Sequence, residues 1–320
     1  MSTVMRVLHL DSNHDILAKG LSKLGCTNVF NFKSNKEDIM ASIENHDAIV
    51  IRSRFPIDKA FLDTAHHLRF IARVGSGLEN IDVTYAKSIG IEIISSPEGN
   101  ANAVGNHALA MLLGLLNNLP QGANDIANGK WEREGNRGEE LDGKTIGLIG
   151  YGHTGSHFAK KLQGFDAKVL CHDILPNKGD DNARQVSLAV LQTEADIVSL
   201  HLPQTPETEA FIDMDFINHM AKPFWLINTS RGNQVVIDDL LEAMENKKIE
   251  GAGLDVLPFE KSSFEQIDHN PQLQQLIDNP HVLLSPHVAG WTHQSKERLA
   301  QVIVDKVKGR FFNATKSRIT

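Results

Sequence analysis

Cysteine, cationic charge and long apolar runs are scarce in this chain, and each shortage argues against a class of protein. The 320 residues include two cysteines, Cys26 and Cys171, too few for a disulfide framework, which favours the reducing cytoplasm. Asp and Glu outnumber Lys and Arg by 40 to 32, and the net charge of −8 argues against nucleic-acid or anionic-membrane partners. The longest apolar helical segment, 107–116, is too short to span a bilayer. We therefore expect a cytoplasmic protein without nucleic-acid or membrane partners.

The most informative segment that is present is 145–155, which reads TIGLIGYGHTG. Its short apolar run predicts a buried parallel strand, and the residues that follow it have helical character. Between the strand and the helix lie Gly150, Gly152 and Gly155, with the G-x-G-x-x-G spacing of a dinucleotide site. Asp173 ends the next apolar run, at the distance where such sites carry an acid for the ribose hydroxyls. The segment therefore predicts a dinucleotide-binding domain.

Each residue of this pattern has a physical role in binding NAD. Gly150 permits the tight turn, Gly152 lets the backbone approach a pyrophosphate at the helix N-terminus, and Gly155 lets helix and strand pack closely. The charge of Asp173 would repel a 2′-phosphate, and no arginine follows it closely, so the pattern favours NAD over NADP. The alternative is a glycine-rich turn without a ligand. Strand, glycines, helix and acid together favour the cofactor.

Strand candidates alternate with amphipathic segments along the whole chain, which is typical of βαβ units. They are residues 6–10, 48–51, 70–74, 91–94, 197–200, 224–227, 253–256 and 282–284. A dinucleotide domain that starts this late implies a separate first domain. We therefore expect an α/β fold with two Rossmann-like or flavodoxin-like, doubly wound parallel-sheet domains and the active site in the cleft between them. Residues 1–99 with 291–320 would form the discontinuous substrate-binding domain, and 100–290 the NAD-binding domain.

Three side chains suited to hydride chemistry each follow a strand candidate downstream of the glycine motif. Carboxyl ends of parallel strands are where open α/β sheets bind ligands. Arg231 would bind a substrate carboxylate through two hydrogen bonds, and His287 would donate or accept the proton at the substrate oxygen. Glu260 would hold the proton of His287 in place. Taken singly, each is more often a surface or simply hydrogen-bonded side chain. The fifteen histidines show no zinc-site spacing, so we expect no metal.

With these segments, the chain closely resembles the D-isomer-specific 2-hydroxyacid dehydrogenase family over nearly its whole length. The matching strings are 150–155, Asp173, 201–203 with Thr208, 228–232, 253–256 with Glu260, and 285–287. The resemblance implies that Arg231, Glu260 and His287 form the catalytic set. It also implies a homodimer joined through the nucleotide domains. The segment 129–140, which contains Trp131, is either a solvated loop or part of this subunit contact.

The resemblance also implies which residues bind the cofactor and the substrate. Besides the three glycines and Asp173, the implied cofactor contacts are Tyr151, His153, Thr154, His201, Pro203, Thr208, Thr229, Asp255, His287 and Gly290. Among them, Asp255 would bond the nicotinamide amide. The implied contacts with the substrate carboxylate are the backbone at Val74, Gly75, Ser76 and Gly77, with Arg231 and His287 completing the substrate site.

Within the family, the chain most resembles the phosphoglycerate dehydrogenase branch. Residues Arg52, Ser53 and Arg54 are similar to the stretch with which bacterial members bind the substrate phosphate, and two guanidinium groups at a strand end suit a dianion. The alternative is that Arg54, or both arginines, lie in solvent on a loop. Asn106 and Trp291 depart from the usual pattern. Because the chain ends soon after the helix that follows His287, we expect a short form without a C-terminal regulatory domain.

The sequence therefore predicts an NAD-dependent oxidoreductase that oxidises 3-phospho-D-glycerate to 3-phosphohydroxypyruvate in serine biosynthesis. One alternative is a glyoxylate or hydroxypyruvate reductase with the same catalytic set. An alternative from a different class is an NAD(H)-sensing, corepressor-like binding protein, which would bind NADH and turn over little.

Overall fold

The structure, a computed structural model, describes residues 4–260 and 267–312 of the chain. Contacts divide these residues into two compact units. The first unit combines the chain up to Asn100 with the chain from Thr292, and the second unit is Ala101–Trp291. We predict that the first unit binds the substrate and the second unit binds the cofactor. Residues 313–320 of the predicted first domain lie outside the described residues.

Strands and helices alternate through the described residues. The strands are β1 (Arg6–His9), β2 (Thr27–Phe30), β3 (Ala48–Ile51), β4 (Phe70–Arg73), β5 (Glu92–Ser95), β6 (Thr145–Ile149), β7 (Lys168–His172), β8 (Arg184–Gln185), β9 (Ile197–Leu200), β10 (Phe224–Asn228), β11 (Ile249–Leu254) and β12 (Val282–Leu284). The α-helices are α1 (Asp15–Lys23), α2 (Lys36–Met40), α3 (Lys59–Leu62), α4 (Val83–Ser88), α5 (Pro97–Leu116), α6 (Leu119–Ala127), α7 (His153–Lys161), α8 (Leu188–Glu194), α9 (Met214–His219), α10 (Ile237–Glu245), α11 (Pro271–Asp278) and α12 (His293–Val307). Among the described residues, no helix is long and apolar enough to cross a membrane.

The first unit is built on a parallel sheet of five strands in the order β2-β1-β3-β4-β5. Every residue of β3, which reads AIVI, is buried, as expected for a strand covered by helices on both faces. On one face α1 and α12 pack closely, because a Cβ at Gly20 would lie 2.5 Å from a methyl carbon of Val304. α12 thereby closes a core that also contains residues of β1, β3 and β4.

The second unit is built on a parallel sheet of seven strands in the order β12-β11-β10-β9-β6-β7-β8. The chain runs outward from β6 through β7 and β8, and then returns to β9 on the other side of β6. The neighbouring strands β6 and β9 therefore form a topological switch point, beyond whose carboxyl end open α/β sheets bind ligands. The carboxyl ends of β10, β11 and β12 follow along the same edge.

Two doubly wound parallel sheets confirm the predicted fold class. One predicted strand is displaced: β11 was expected at 253–256 but spans Ile249–Leu254. Its first half contains Gly251, where the ring of Trp225 occupies the space that a side chain would take, with Cζ3 2.3 Å from the position of a Cβ. The tryptophan supplies the apolar surface that the strand's own sequence lacks.

Close backbone contacts shape the turn between β6 and α7. Gly150 has a left-handed φ of +88°, and a Cβ there would lie 2.5 Å from the carbonyl oxygen of His201 on the neighbouring strand's extension. A Cβ at Gly155 would lie 2.3 Å from the carbonyl oxygen of Gly150. Gly152 differs, because no atom lies within 4 Å of its Cβ position and no side chain caps the helix there. The first two glycines are required by the fold, whereas Gly152 leaves open space at the helix N-terminus.

This difference predicts separate effects for two substitutions in the same turn. Gly155→Val should destabilise the protein by about 1–3 kcal/mol, because the new side chain overlaps backbone that cannot move freely. Gly152→Val should leave the melting temperature unchanged and weaken NADH binding, because its side chain enters the space expected for the pyrophosphate. Thermal melting and NADH fluorescence titration of both variants measure the two effects. Unchanged NADH affinity in Gly152→Val would contradict the assignment of this turn to the cofactor.

Candidate active site

The turn after β7 presents a carboxylate that is fixed by the backbone. Asp173 accepts hydrogen bonds from the N–H of Tyr151 through Oδ2 (2.8 Å) and from the N–H of Leu175 through Oδ1 (2.9 Å). Each carboxylate oxygen has a further lone pair for a ribose hydroxyl. The Tyr151 hydroxyl donates to Asp180 at 2.6 Å, and burial followed by this hydrogen bond raises the pKa of Tyr151. Asp173 and the glycine turn are thus tied together, with His153 and Thr154 in the first turn of α7.

The residues after β9 contribute mainly through their backbone. The His201 ring is buried against Phe158, its Nε2 bonds Ser199 Oγ at 3.0 Å, and burial lowers its pKa to about 3, so the ring is neutral. The carbonyl of Pro203 accepts from the Thr208 hydroxyl at 2.7 Å and from Gln234 at 3.0 Å. These bonds fix the shape of the segment rather than present side chains to a ligand.

Two buried polar atoms near these strand ends have no hydrogen-bond partner within residues 4–260 and 267–312. They are Nδ1 of His201 and Oγ1 of Thr229, which follow β9 and β10 respectively. A buried hydroxyl or imidazole nitrogen without a partner carries a free-energy penalty of about 1–3 kcal/mol, which a bound polar ligand can remove. Together with the open N-terminus of α7 and the fixed carboxylate of Asp173, they fit a bound dinucleotide.

Arg231 lies in a turn that packs directly on the next loop. Asn228 shapes the turn by accepting from the N–H of Ser230 (2.9 Å) and donating to the carbonyl of Arg231 (2.9 Å). The half-buried Arg231 guanidinium donates to the carbonyl of Ser230 at 2.7 Å. A Cβ at Gly232 would lie 2.0 Å from the carbonyl carbon of Leu257. Because Gly232 has no side chain, the Arg231 turn and the loop that carries Glu260 are in backbone contact.

Glu260 and His287 are paired. One oxygen of Glu260 accepts from the backbone N–H of Leu257 at 2.7 Å, and the other lies 2.6 Å from Nδ1 of His287. The backbone bond orients the carboxylate, and the carboxylate in turn orients the imidazole ring. A carboxylate only accepts, so Nδ1 carries the hydrogen. The structure thus places these two predicted catalytic side chains in direct contact within one unit.

His287 has a left-handed backbone that its neighbours stabilise. Its φ is +54°, a conformation that costs a residue with a side chain about 1–2 kcal/mol. Its N–H donates to the carbonyl of Asp255 at 2.8 Å, while the N–H groups of Val288 and Ala289 donate to the Asp255 carboxylate at 2.9 and 2.8 Å. Asp255 therefore fixes the chain at His287 and directly after it, and Gly290 follows this segment.

The Asp255 carboxylate also binds two side chains, Ser285 and His107, of which His107 was not identified from the sequence. Ser285 Oγ donates to Asp255 Oδ1 at 2.5 Å, and His107 Nε2 lies 2.8 Å from Ser285 Oγ. Burial alone raises the pKa of Asp255, but the hydrogen bonds from His107, Ser285, Ala289 and Val288 outweigh it and hold the pKa below its usual range. Asp255 is therefore an ionised carboxylate in a buried position.

The predicted phosphate-binding arginines lie in the first unit, after β3. Arg54 is partly buried and bound to the backbone: its Nη1 donates to the carbonyls of Leu10 (2.8 Å) and Asn31 (2.6 Å), and its Nη2 donates to the carbonyl of Ser34. Three of its five N–H groups thus fix the loops beside β1 and β2. The backbone of Arg52 is held by Asp11 and Asn80, and Ser53 is half-buried between the two arginines.

The predicted carboxylate-binding backbone of the first unit, 74–77, is tied to the start of α5. The N–H of Gly75 donates to the Ser96 hydroxyl, and the N–H of Ser96 donates to the carbonyl of Gly75. The Ser76 hydroxyl donates to Asn100 Oδ1 at 2.8 Å. A Cβ at Gly75 would lie 1.6 Å from Nη1 of Arg73, so this arginine occupies the space beside the glycine. Sequence reasoning gave Arg73 no role of its own.

Comparisons with known proteins agree with this geometry. A family model described as D-isomer specific 2-hydroxyacid dehydrogenase, NAD binding domain, matches residues 109–289. A hydroxypyruvate reductase of Thermotoga maritima is 31% identical over 272 residues, which are 85% of this chain and 87% of the relative. A D-3-phosphoglycerate dehydrogenase of Synechocystis sp. is 32% identical over 311 residues, which are 96% of this chain and 54% of the relative. This chain thus spans about half the length of the second relative.

A solved structure extends the likeness to the fold and the cofactor. D-lactate dehydrogenase with NAD+ from Lactobacillus jensenii has a TM-score of 0.78 and 25% identity, with 94% of this chain and 95% of that chain covered. The predicted family, fold class and NAD cofactor are confirmed. The chain belongs to the D-isomer-specific 2-hydroxyacid dehydrogenase family, NAD-dependent oxidoreductases that act on a CH–OH group.

Proposed function

We propose that this chain interconverts 3-phospho-D-glycerate and 3-phosphohydroxypyruvate, with Arg231, Glu260 and His287 as its catalytic residues. The observation that carries the catalytic assignment is the 2.6 Å contact between His287 Nδ1 and Glu260 Oε2. Both cysteines are free thiols, in line with the cytoplasmic location expected from the sequence. A named phosphoglycerate dehydrogenase among the relatives supports the substrate.

The pairing with Glu260 assigns different tasks to the two ring nitrogens of His287. NAD, when bound, takes up the hydride from the substrate carbon or supplies it. Because Nδ1 bonds Glu260, proton exchange with the substrate oxygen falls to Nε2. In reduction, Nε2 gives its proton to the carbonyl oxygen, which becomes the hydroxyl. In oxidation, Nε2 accepts the hydroxyl proton. Arg231 binds the carboxylate and so fixes the orientation of the reacting carbon.

Replacing His287 should remove turnover and preserve cofactor binding. Asparagine is the suitable substitute, because it tolerates the left-handed backbone at this position and cannot exchange the proton. We expect His287→Asn to lower kcat by about 10²–10⁴-fold, the usual contribution of a general acid–base, with NADH affinity retained. His219→Asn, on the exposed end of α9, is the matched control. Near-normal turnover in His287→Asn would show that another group exchanges the proton.

The same measurements of turnover and NADH affinity distinguish the sensor alternative from an enzyme. A nucleotide-sensing protein binds NADH tightly and has little turnover with any 2-keto acid, and His287→Asn would change nothing. The orienting bonds from Leu257 to Glu260 and from Glu260 to His287 favour the enzyme, because cofactor binding alone does not require an imidazole of fixed orientation.

The substrate phosphate is proposed from the two arginines after β3. Arg54 binds three backbone carbonyls, so it stabilises the loops, and only two of its N–H groups remain for an anion. Arg52, after the same strand, is the other residue expected to contact the phosphate. The engagement of Arg54, with the hydroxypyruvate reductase among the relatives, favours the second candidate function, a reductase of unphosphorylated 2-keto acids.

Comparing substrates in arginine variants tests the phosphate. With the wild type, we expect kcat/KM for 3-phosphohydroxypyruvate to exceed that for hydroxypyruvate and glyoxylate by about a hundredfold, or about 2.7 kcal/mol. Arg52→Gln should remove most of this preference without changing kcat/KM for hydroxypyruvate. Arg54→Gln should lower the melting temperature, because three carbonyls lose a charged donor. A similar loss for all three acids in Arg52→Gln would remove the reason for proposing a phosphate and favour the reductase.

We also propose a homodimer joined through the second unit. Leu119 and Ile126 of α6 and the nearby Trp131 are exposed, the tryptophan by 83%. The segment after α6 is fixed by hydrogen bonds to the buried Asp125. The Asp125 carboxylate accepts from Asn136 Nδ2 at 2.9 Å, and its carbonyl oxygen accepts from the N–H of Lys130 at 2.8 Å. An exposed indole on a segment that hydrogen bonds fix in place is more typical of a subunit contact than of a solvated loop.

Charge placed in this patch should separate the subunits. We expect Trp131→Glu to halve the molar mass measured by light scattering, because burying an unpaired carboxylate opposes association. Ile277→Glu, at a half-exposed position on α11, is the matched control and should leave the mass unchanged. A wild-type protein with the mass of one chain would exclude the homodimer.

A further inference from the structure

α5 approaches the second sheet closely where Gly253 lies on β11. A Cβ at Gly253 would lie 3.2 Å from Met111 Cβ of α5 and 2.9 Å from Ile227 Cδ1 of β10. The missing side chain therefore lets the helix pack against the strand. His107 lies four residues before Met111, one turn away on the same face of the helix. The close approach thus brings an imidazole to the ends of β11 and β12.

The hydrogen bonds around Ser285 determine which atom of His107 carries a hydrogen. Ser285 has one hydroxyl hydrogen, and the ionised Asp255 carboxylate, 2.5 Å away, can only accept it. The hydroxyl must therefore accept from His107 Nε2 at 2.8 Å. His107 Nε2 also lies 3.4 Å from Asp255 Oδ1. The bonds run in one direction, from the imidazole through the hydroxyl to the carboxylate.

The same carboxylate fixes the segment that contains His287. Its two oxygens accept from the N–H groups of Val288 and Ala289, the residues directly after His287. Asp255 is 1% exposed, so water cannot replace a partner that is lost. If the donor at His107 is removed, Ser285 is freed to turn away and the carboxylate loses part of its stabilisation. The position of His287, with its left-handed backbone, is then less sharply defined.

We propose that His107 is a positioning residue for His287, acting through Ser285 and Asp255 without contacting the substrate. This inference rests on the proposed acid–base role of His287. The role of His107 requires only that its side chain donates a hydrogen bond to Ser285 Oγ. A different side chain that donates this bond should therefore replace His107, whereas an apolar side chain of similar size should not. A residue that only fills space would show the opposite preference.

Two substitutions at His107 separate donation from packing. His107→Leu keeps the bulk and removes the donor, and we expect it to lower kcat by about ten- to a hundredfold, as small misplacements of catalytic groups do. KM for the 2-keto acid and the Kd of NADH should be almost unchanged. The primary isotope effect of 4-deuterated NADH on kcat should rise, because the chemical step is slowed. His107→Gln, whose amide N–H lies at the reach of Nε2, should restore most of kcat.

Ser285→Ala gives an independent test if His107→Leu does not fold. It should lower kcat to a similar extent. If His107→Leu folds, the double variant that combines it with Ser285→Ala should have a kcat no lower than that of either single variant, because both residues act through one path. His219→Leu, at an exposed histidine of α9, is the control for loss of an imidazole.

Three results would overturn the inference. One is wild-type kcat in His107→Leu, and another is an equal loss in His107→Leu and His107→Gln. The third is a wild type without turnover on any 2-keto acid, which would overturn the proposed function together with this inference. The first two leave the proposed function intact, so the two failures are distinguishable.

Discussion

The buried charge of Asp255 is the constraint on which the arrangement of the second unit's site depends. An ionised carboxylate with 1% exposure is stable only if hydrogen-bond donors surround it, because desolvation otherwise costs several kcal/mol. Here the donors are the backbone on the far side of His287, a serine at the end of the next strand and, behind the serine, a helix histidine. Satisfying one carboxylate therefore fixes the ends of two strands, one helix and the acid–base segment relative to one another.

Glycines determine the other close contacts of the site, because they have no side chain. Gly232 brings the Arg231 turn into backbone contact with the Glu260 loop, and Gly253 brings α5 onto β11. Gly155 does the same for α7 and the turn before it. At Gly232 and Gly155 a methyl group would overlap backbone atoms that cannot rotate away, whereas at Gly253 it would press on the side chains of Ile227 and Met111.

The sequence was sufficient for features that depend on local patterns. The glycine spacing of 150–155 and the fully apolar β3 can each be recognised within one short segment. A tight turn requires glycines at fixed spacing, and a strand covered on both faces is apolar throughout. β2, which reads TNVF, was missed because an edge strand has no continuous apolar run. The carbonyls bound by Arg54 and the partner of His107, 178 residues away, lie in other segments. Their positions follow from tertiary packing, which neither composition nor spacing records.

The first unit takes its core from both ends of the chain. α12 contributes Leu299, Ala300, Ile303, Val304 and Val307 to the core that covers one face of the first sheet. A ribosome adds about 5–20 residues per second, so the first sheet waits roughly 10–40 s between its own synthesis and that of α12. The second unit is continuous from Ala101 to Trp291 and has no such delay. Because the whole second unit is synthesised before α12, the first unit exposes an apolar face until its last core segment is made.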